Sequence, residues 1–303
     1  MEDDPNFLLD ELTVKDRVKK FNQSSIECTF LTKSLRNLVK GIVSVKDKQF
    51  SWANPEHYNL KLWDKKESPV PEAVLQQKDM CIPYQVYYFI KFHMNLIAKL
   101  SGEPVAAVPE ISLAYLLSIF RKLKPENRTF EAMLLELHNK GFLAEKDFDE
   151  RKGTTKQGAK RFYMHWSLEM ELEDYESTEK FEEELKKCIL YHGGVLAEIE
   201  MTKEFNPYGT TCKGVGTKRE EQITTSKNDV IEMPLGHALT IISWKETPKG
   251  LKFMYLNCHG KDWGLPPYTK ALRKGFGWIK SKDLFRVYVP QVLKPAESFK
   301  ANP

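Results

Sequence analysis

"GHALTIISWKETPKGLKFMYLNCHGKDWG", residues 236–264, decides how the rest of the chain is read. It holds two strand-like apolar runs, GHALTIISW and GLKFMYLN, separated by a short polar stretch with a proline and a glycine. His237 stands at the mouth of the first run, and Asn257 closes the second. If the two runs pair as a hairpin, His237 and Asn257 fall near the same edge. The Asn then accepts one ring N–H of the His and leaves the other ring nitrogen facing a nucleophile.

Working outward, VLAEIEM (195–201) and LFRVYVP (284–290) are also strand-like, and all these runs lie late in the chain. Earlier segments carry helical signals. PYQVYYFIKFHMNLIAKL (83–100) is apolar almost all round and opens on a proline, the pattern of a helix buried on most sides. ISLAYLLSIFRKLK (111–124) and RTFEAMLLELHNKGF (128–142) are two further helices, the second stopped by Gly141. Residues 145–165 read as a polar connection, and STEKFEEELKKCILYHGG (177–194) as an amphipathic helix with a glycine stop. Residues 1–55 read as a polar, partly helical N-terminal extension, with one or two short helices in NFLLDELTVKDRVKKF (6–21). The stretch WANPEHYNLKLWDKKESPVPEAVLQQKDM (52–80) is extended and punctuated by prolines, as in a segment lying across a surface. Helices first and strands second predict an α+β fold, a helical half of about 80–175 packed against an antiparallel β half of about 180–292 within one domain, 56–292, followed by a tail, 293–303.

Composition narrows the function without choosing it. A chain of 303 residues can bury a full core, and 46 basic against 42 acidic side chains leave a charge of +4, which neither demands nucleic acid nor excludes it. No nucleic-acid partner is expected. No apolar run reaches membrane-spanning length, and the start of the chain is acidic where a secretory leader would be basic. Five scattered cysteines, Cys28, Cys81, Cys188, Cys212 and Cys258, fit free thiols in a reducing compartment, so a cytoplasmic location is expected.

Cys81 is the candidate nucleophile. It stands two residues before Pro83, at or just before the first turn of the buried helix, where unpaired N–H groups and the helix dipole favour a thiolate. His237 is its candidate base and Asn257 the group that orients the base. Gln76 or Gln77, just upstream, supplies an amide N–H to a developing oxyanion beside the backbone N–H of Cys81. The plainer readings are a buried core thiol for Cys81, a turn asparagine for Asn257 and polar loop residues for the glutamines. Cys258 and His259 are adjacent and lack a second pair, which is poor zinc geometry, so neither metal nor cofactor is expected. GTTCKGVG (209–216) lacks the Lys-Ser/Thr of a phosphate-binding loop and reads as a surface loop.

These residues resemble the papain-like cysteine peptidases. In that family a strand beginning G/N-H-A supplies the base, and an N-S-W-G-x-x-W-G run supplies the orienting Asn. Here Asn257, Gly260, Trp263 and Gly264 match, while Cys258 and His259 replace the serine and the tryptophan. FEEELKKCILYHGGVLAEIEM is similar to the helix, turn and strand that precede the family's histidine, and Trp63 is similar to the tryptophan of its D-W-R run. The resemblance runs in consistent order over residues 60 to 290. It departs at the nucleophile, where Q-G-x-C-G-x-C-W-A-F has become QQKDMCIPYQV, and the family's C-x-G-G run has no counterpart. The shifted spacing admits a second alignment in which Tyr84 takes the nucleophile position and Cys81 matches an upstream structural cysteine. His259 stands where the family's tryptophan covers the Asn–His contact from water. The resemblance implies a papain-like fold with a cleft between its halves, and a thiol endopeptidase acting on peptide or protein substrates. The alternative it leaves open is a catalytically degenerate papain-fold protein that binds a peptide or protein partner.

Overall fold

The computed structural model describes residues 30–54, 57, 68–77, 79–200, 220–224, 230–234, 236–266 and 274–294. The helices expected in 6–21, Trp63, Cys28, Cys212 and the loop 209–216 lie outside the described residues.

The first element is helix α1 (Phe30–Val39), followed by strand β1 (Gln49–Ser51). The apolar run read as a buried helix is α2 (Cys81–Leu100), then come α3 (Leu113–Lys122) and α4 (Phe130–Lys140). Two short β pairs follow, β2 (Phe142–Leu143) with β5 (Arg161–Phe162), and β3 (Phe148–Asp149) with β4 (Thr154–Thr155). Next are β6 (Met164–Met170), α5 (Thr178–His192), β7 (Val195–Glu200), the hairpin β8 (Glu220–Thr224) and β9 (Val230–Pro234), then β10 (Gly236–Thr247), β11 (Gly250–Leu256), β12 (Phe276–Ile279) and β13 (Arg286–Val292).

Local chemistry sets the helix ends. Ser112, Thr129 and Ser177 each accept the backbone N–H three residues on, the usual device for an otherwise unsatisfied first turn. Gly141 and Gly193 stop α4 and α5 at positive φ, where a side chain would be strained. Pro83 is the third residue of α2, inside the turn whose N–H groups have no helical acceptor, so it costs no hydrogen bond.

The main sheet runs β12–β11–β10–β7–β13–β6, antiparallel throughout, with β1 added beside the far end of β10. Helix α2 packs against β10 and is buried from Pro83 to Ile90 without interruption. The 145–165 stretch, expected to be a polar connection, carries β3, β4 and β5, the last paired with β2 just before it, and the chain then enters a sheet strand, β6. Its sequence MHWSLEM has the apolar/polar alternation of a half-buried strand, a signal the charged surroundings obscure.

Residues 30–54 are woven into the core. Helix α1 packs on α5 and α2, Phe50 and Trp52 are fully buried, and the Trp52 indole donates to the Ile189 carbonyl at 2.7 Å. Among the described residues no helix is long and apolar enough to cross a membrane.

Candidate active site

The antiparallel register of β10 and β11 is what brings His237 to Asn257. Thr240 lies opposite Leu256, so continuing the ladder puts residue 237 opposite 259 and diagonal to 257, on one face. His237 Nε2 and Asn257 Oδ1 are 2.8 Å apart. The same oxygen accepts the Cys258 backbone N–H at 2.8 Å, which fixes the amide with its oxygen inward. Nε2 is therefore the protonated nitrogen of neutral His237, and Nδ1 holds the lone pair. Both residues are buried.

His259 lies parallel to His237 with ring centroids 5.2 Å apart, and Trp263 meets the edge of His259 at 5.7 Å. The imidazole of His259 thus forms one wall against His237. Burial lowers His237 to about 4, the Asn257 hydrogen bond pulls the other way, and charge on His259 lowers it further. Burial also lowers His259.

Cys81 is the first residue of α2. The residue keeps partial exposure, yet its sulfur is packed closely enough that burial pushes the thiol up to about 11. The backbone N–H groups of Ala238, Ile82 and Cys81 pull the value down. The carboxylate of Glu198 adds to the push upward. Burial outweighs the helix N-terminus here. Tyr84, the other residue the spacing admits, is buried one turn into α2, its N–H bonded to the Met80 carbonyl.

The two glutamines part company. The Gln77 Oε1 accepts the Arg121 guanidinium at 2.6 Å on the exposed surface. Gln76 turns toward Cys258, the neighbour of Asn257: its backbone N–H donates to the Cys258 carbonyl at 2.8 Å, and its Oε1 accepts the Cys258 thiol. Leu75 forms an antiparallel bridge with His259 beside it. Gln85, buried on α2, accepts the Thr240 hydroxyl at 2.7 Å and ties the helix to β10 next to the site.

Sequence reasoning did not find Cys258, Gln85 or Glu198 as neighbours of the site. The only signal for Glu198 is a carboxylate inside the apolar strand VLAEIEM; burial raises it against the charge of Arg286 and the N–H of Phe130. Among the described residues no three His, Cys, Asp or Glu side chains gather into a metal-binding group.

No family model and no curated protein matches the sequence. Solved structures do match the fold. A procathepsin B of Trypanosoma congolense aligns over 82% of this chain and 78% of its own, at 12% identity and a TM-score of 0.50. The fold is papain-like. Xylellain, a cysteine protease of Xylella fastidiosa, aligns over 86% of this chain and 89% of its own at 11% identity and a TM-score of 0.49. The bromelain protease of Ananas comosus, solved with an inhibitor, aligns over 82% and 100% at 13% identity and a TM-score of 0.48. Identities this low make the likeness one of fold alone. In this papain-like chain the chemistry has to be argued from the residues themselves.

Proposed function

We propose that the chain is a thiol peptidase in which Cys81, His237 and Asn257 act as nucleophile, base and orienter, with Gln76 as oxyanion donor. The observation that carries this reading is the 2.8 Å His237–Asn257 contact at the start of β10, the strand against which α2, opened by Cys81, packs. Cys81 attacks a peptide carbonyl while His237 Nδ1 takes the thiol proton. The oxyanion is met by the Gln76 amide and the Cys81 backbone N–H. Protonated His237 then gives its proton to the leaving amine, the C–N bond breaks, and a thioester remains on Cys81. Water, deprotonated by His237, hydrolyses the thioester and frees the thiol. Gln76 is preferred to Gln77 because Gln77 is engaged by Arg121 at the surface. The substrate is a peptide or an unfolded protein segment. Incubation of the purified chain with unfolded proteins, with products identified by mass, tests it: Cys81→Ala lowers cleavage by on the order of 10⁴-fold or more. Cleavage that survives this substitution refutes the assignment.

A second reading is favoured by one observation. Both reacting groups rest uncharged near neutrality, with Cys81 at about 11 and His237 at about 4, so no thiolate–imidazolium pair is stored in the resting site. That state suits a protein that binds a peptide or protein partner without cleaving it. Such a protein retains its partner in Cys81→Ser and releases no fragments from any unfolded substrate.

A further inference from the structure

We infer that Cys258 is a positioning residue whose thiol fixes the orientation of the Gln76 amide, the group assigned to the oxyanion; the inference rests on the peptidase reading above. Three polar groups of Cys258 are each committed. Its N–H donates to Asn257 Oδ1 at 2.8 Å, its carbonyl accepts the Gln76 N–H at 2.8 Å, and its S–H donates to Gln76 Oε1 at 2.5 Å. The residue is fully buried, so the thiol has no water to compete for its proton. One residue therefore couples the group that orients the base to the group assigned to the oxyanion.

The side-chain bond carries the positioning. A glutamine on an extended segment has three rotatable bonds, and its backbone alone does not aim its amide. Gln76 is only partly buried, and among its neighbours Cys258 supplies both the backbone acceptor and the donor to Oε1. An amide is planar, so committing its oxygen to Cys258 directs its N–H groups to the opposite side.

Cys258→Ala removes the side-chain bond and leaves both backbone bonds, which separates positioning from structure. We expect Cys258→Ala to lower kcat about tenfold with KM within twofold, and Cys258→Ser to recover to within about threefold of the parent. In a Gln76→Ala background the same substitution has no further effect, since the group it positions is gone. Equal losses in both backgrounds, or a loss carried by KM, overturn the inference. The infrared S–H stretch gives a readout independent of turnover: the band absent from Cys258→Ala lies below the other thiol bands and rises in Gln76→Ala. A band that Gln76→Ala leaves in place overturns the inference. If the parent chain hydrolyses nothing, the peptidase reading fails alone, and the band by itself decides whether Cys258 holds Gln76.

Discussion

Cys81 occupies a helix N-terminus, where a thiol is ordinarily lowered, and burial nevertheless raises it to about 11. Three backbone N–H groups oppose that rise and are outweighed. The sign has a direct consequence for reactivity. With the folded value above that of a free thiol, Cys81 stays protonated through neutral pH, and its alkylation by iodoacetamide climbs about tenfold per pH unit with no plateau below pH ~10. A plateau reached below pH 6 would reveal a stored thiolate and contradict the neutral resting pair. The His237–Asn257 contact was legible from the sequence, because twenty residues spanning two paired strands leave little freedom in where their ends meet. The choice between Gln76 and Gln77 was not. Adjacent residues on an extended segment point opposite ways, and only packing shows which of the two meets Cys258 and which meets Arg121.

Secondary-structure elements fix what single residues leave open. The glycines after Asn257 show this at the turn that carries the chain from β11 to β12. Gly264 has φ +72°, and a Cβ there would stand 2.4 Å from the Phe276 carbonyl oxygen. Leu265 and Phe276 exchange backbone hydrogen bonds across the same point, so the clash has no easy relief. Gly264→Ala is expected to cost about 2–4 kcal/mol by urea denaturation, combining positive-φ strain with a backbone contact. A loss below about 0.5 kcal/mol would show that the turn relaxes freely. Long elements were readable. Helix α2 announced itself by apolar residues on every side, and β10 and β11 by runs rich in apolar residues. Short ones were not: β1 has three residues and β12 four, and each is a strand only because a longer partner pairs with it.

Three histidines are sealed into the interior, and together they make the whole molecule sensitive to acid. His93, held at the Gly193 carbonyl, is lowered by burial to about 3, and burial lowers His192 and His237 to about 4. Each binds a proton more readily in the unfolded chain. Their contribution is therefore fully present above the ordinary histidine value and lost as pH falls toward 4. The expected slope is about 4 kcal/mol per pH unit between pH ~6 and ~4. It is offset in part by Glu198 and Asp283, whose raised values favour the folded state in acid. Urea midpoints measured from pH 7 to 4.5 check this, and a flat profile would contradict it. At this scale the order of helices before strands foretold the α+β layout, whereas the insertion of residues 30–54 into the core followed from no local pattern. The proposed chemistry joins two distant points of that layout, a thiol at the start of α2 and an imidazole at the start of β10. The most direct measurement treats the folded chain with a peptidyl vinyl or epoxide electrophile and maps the modified residue by mass. Label is expected on Cys81 alone and lost in His237→Ala; label spread over the cysteines, or unchanged in that variant, rules out a thiol worked by His237.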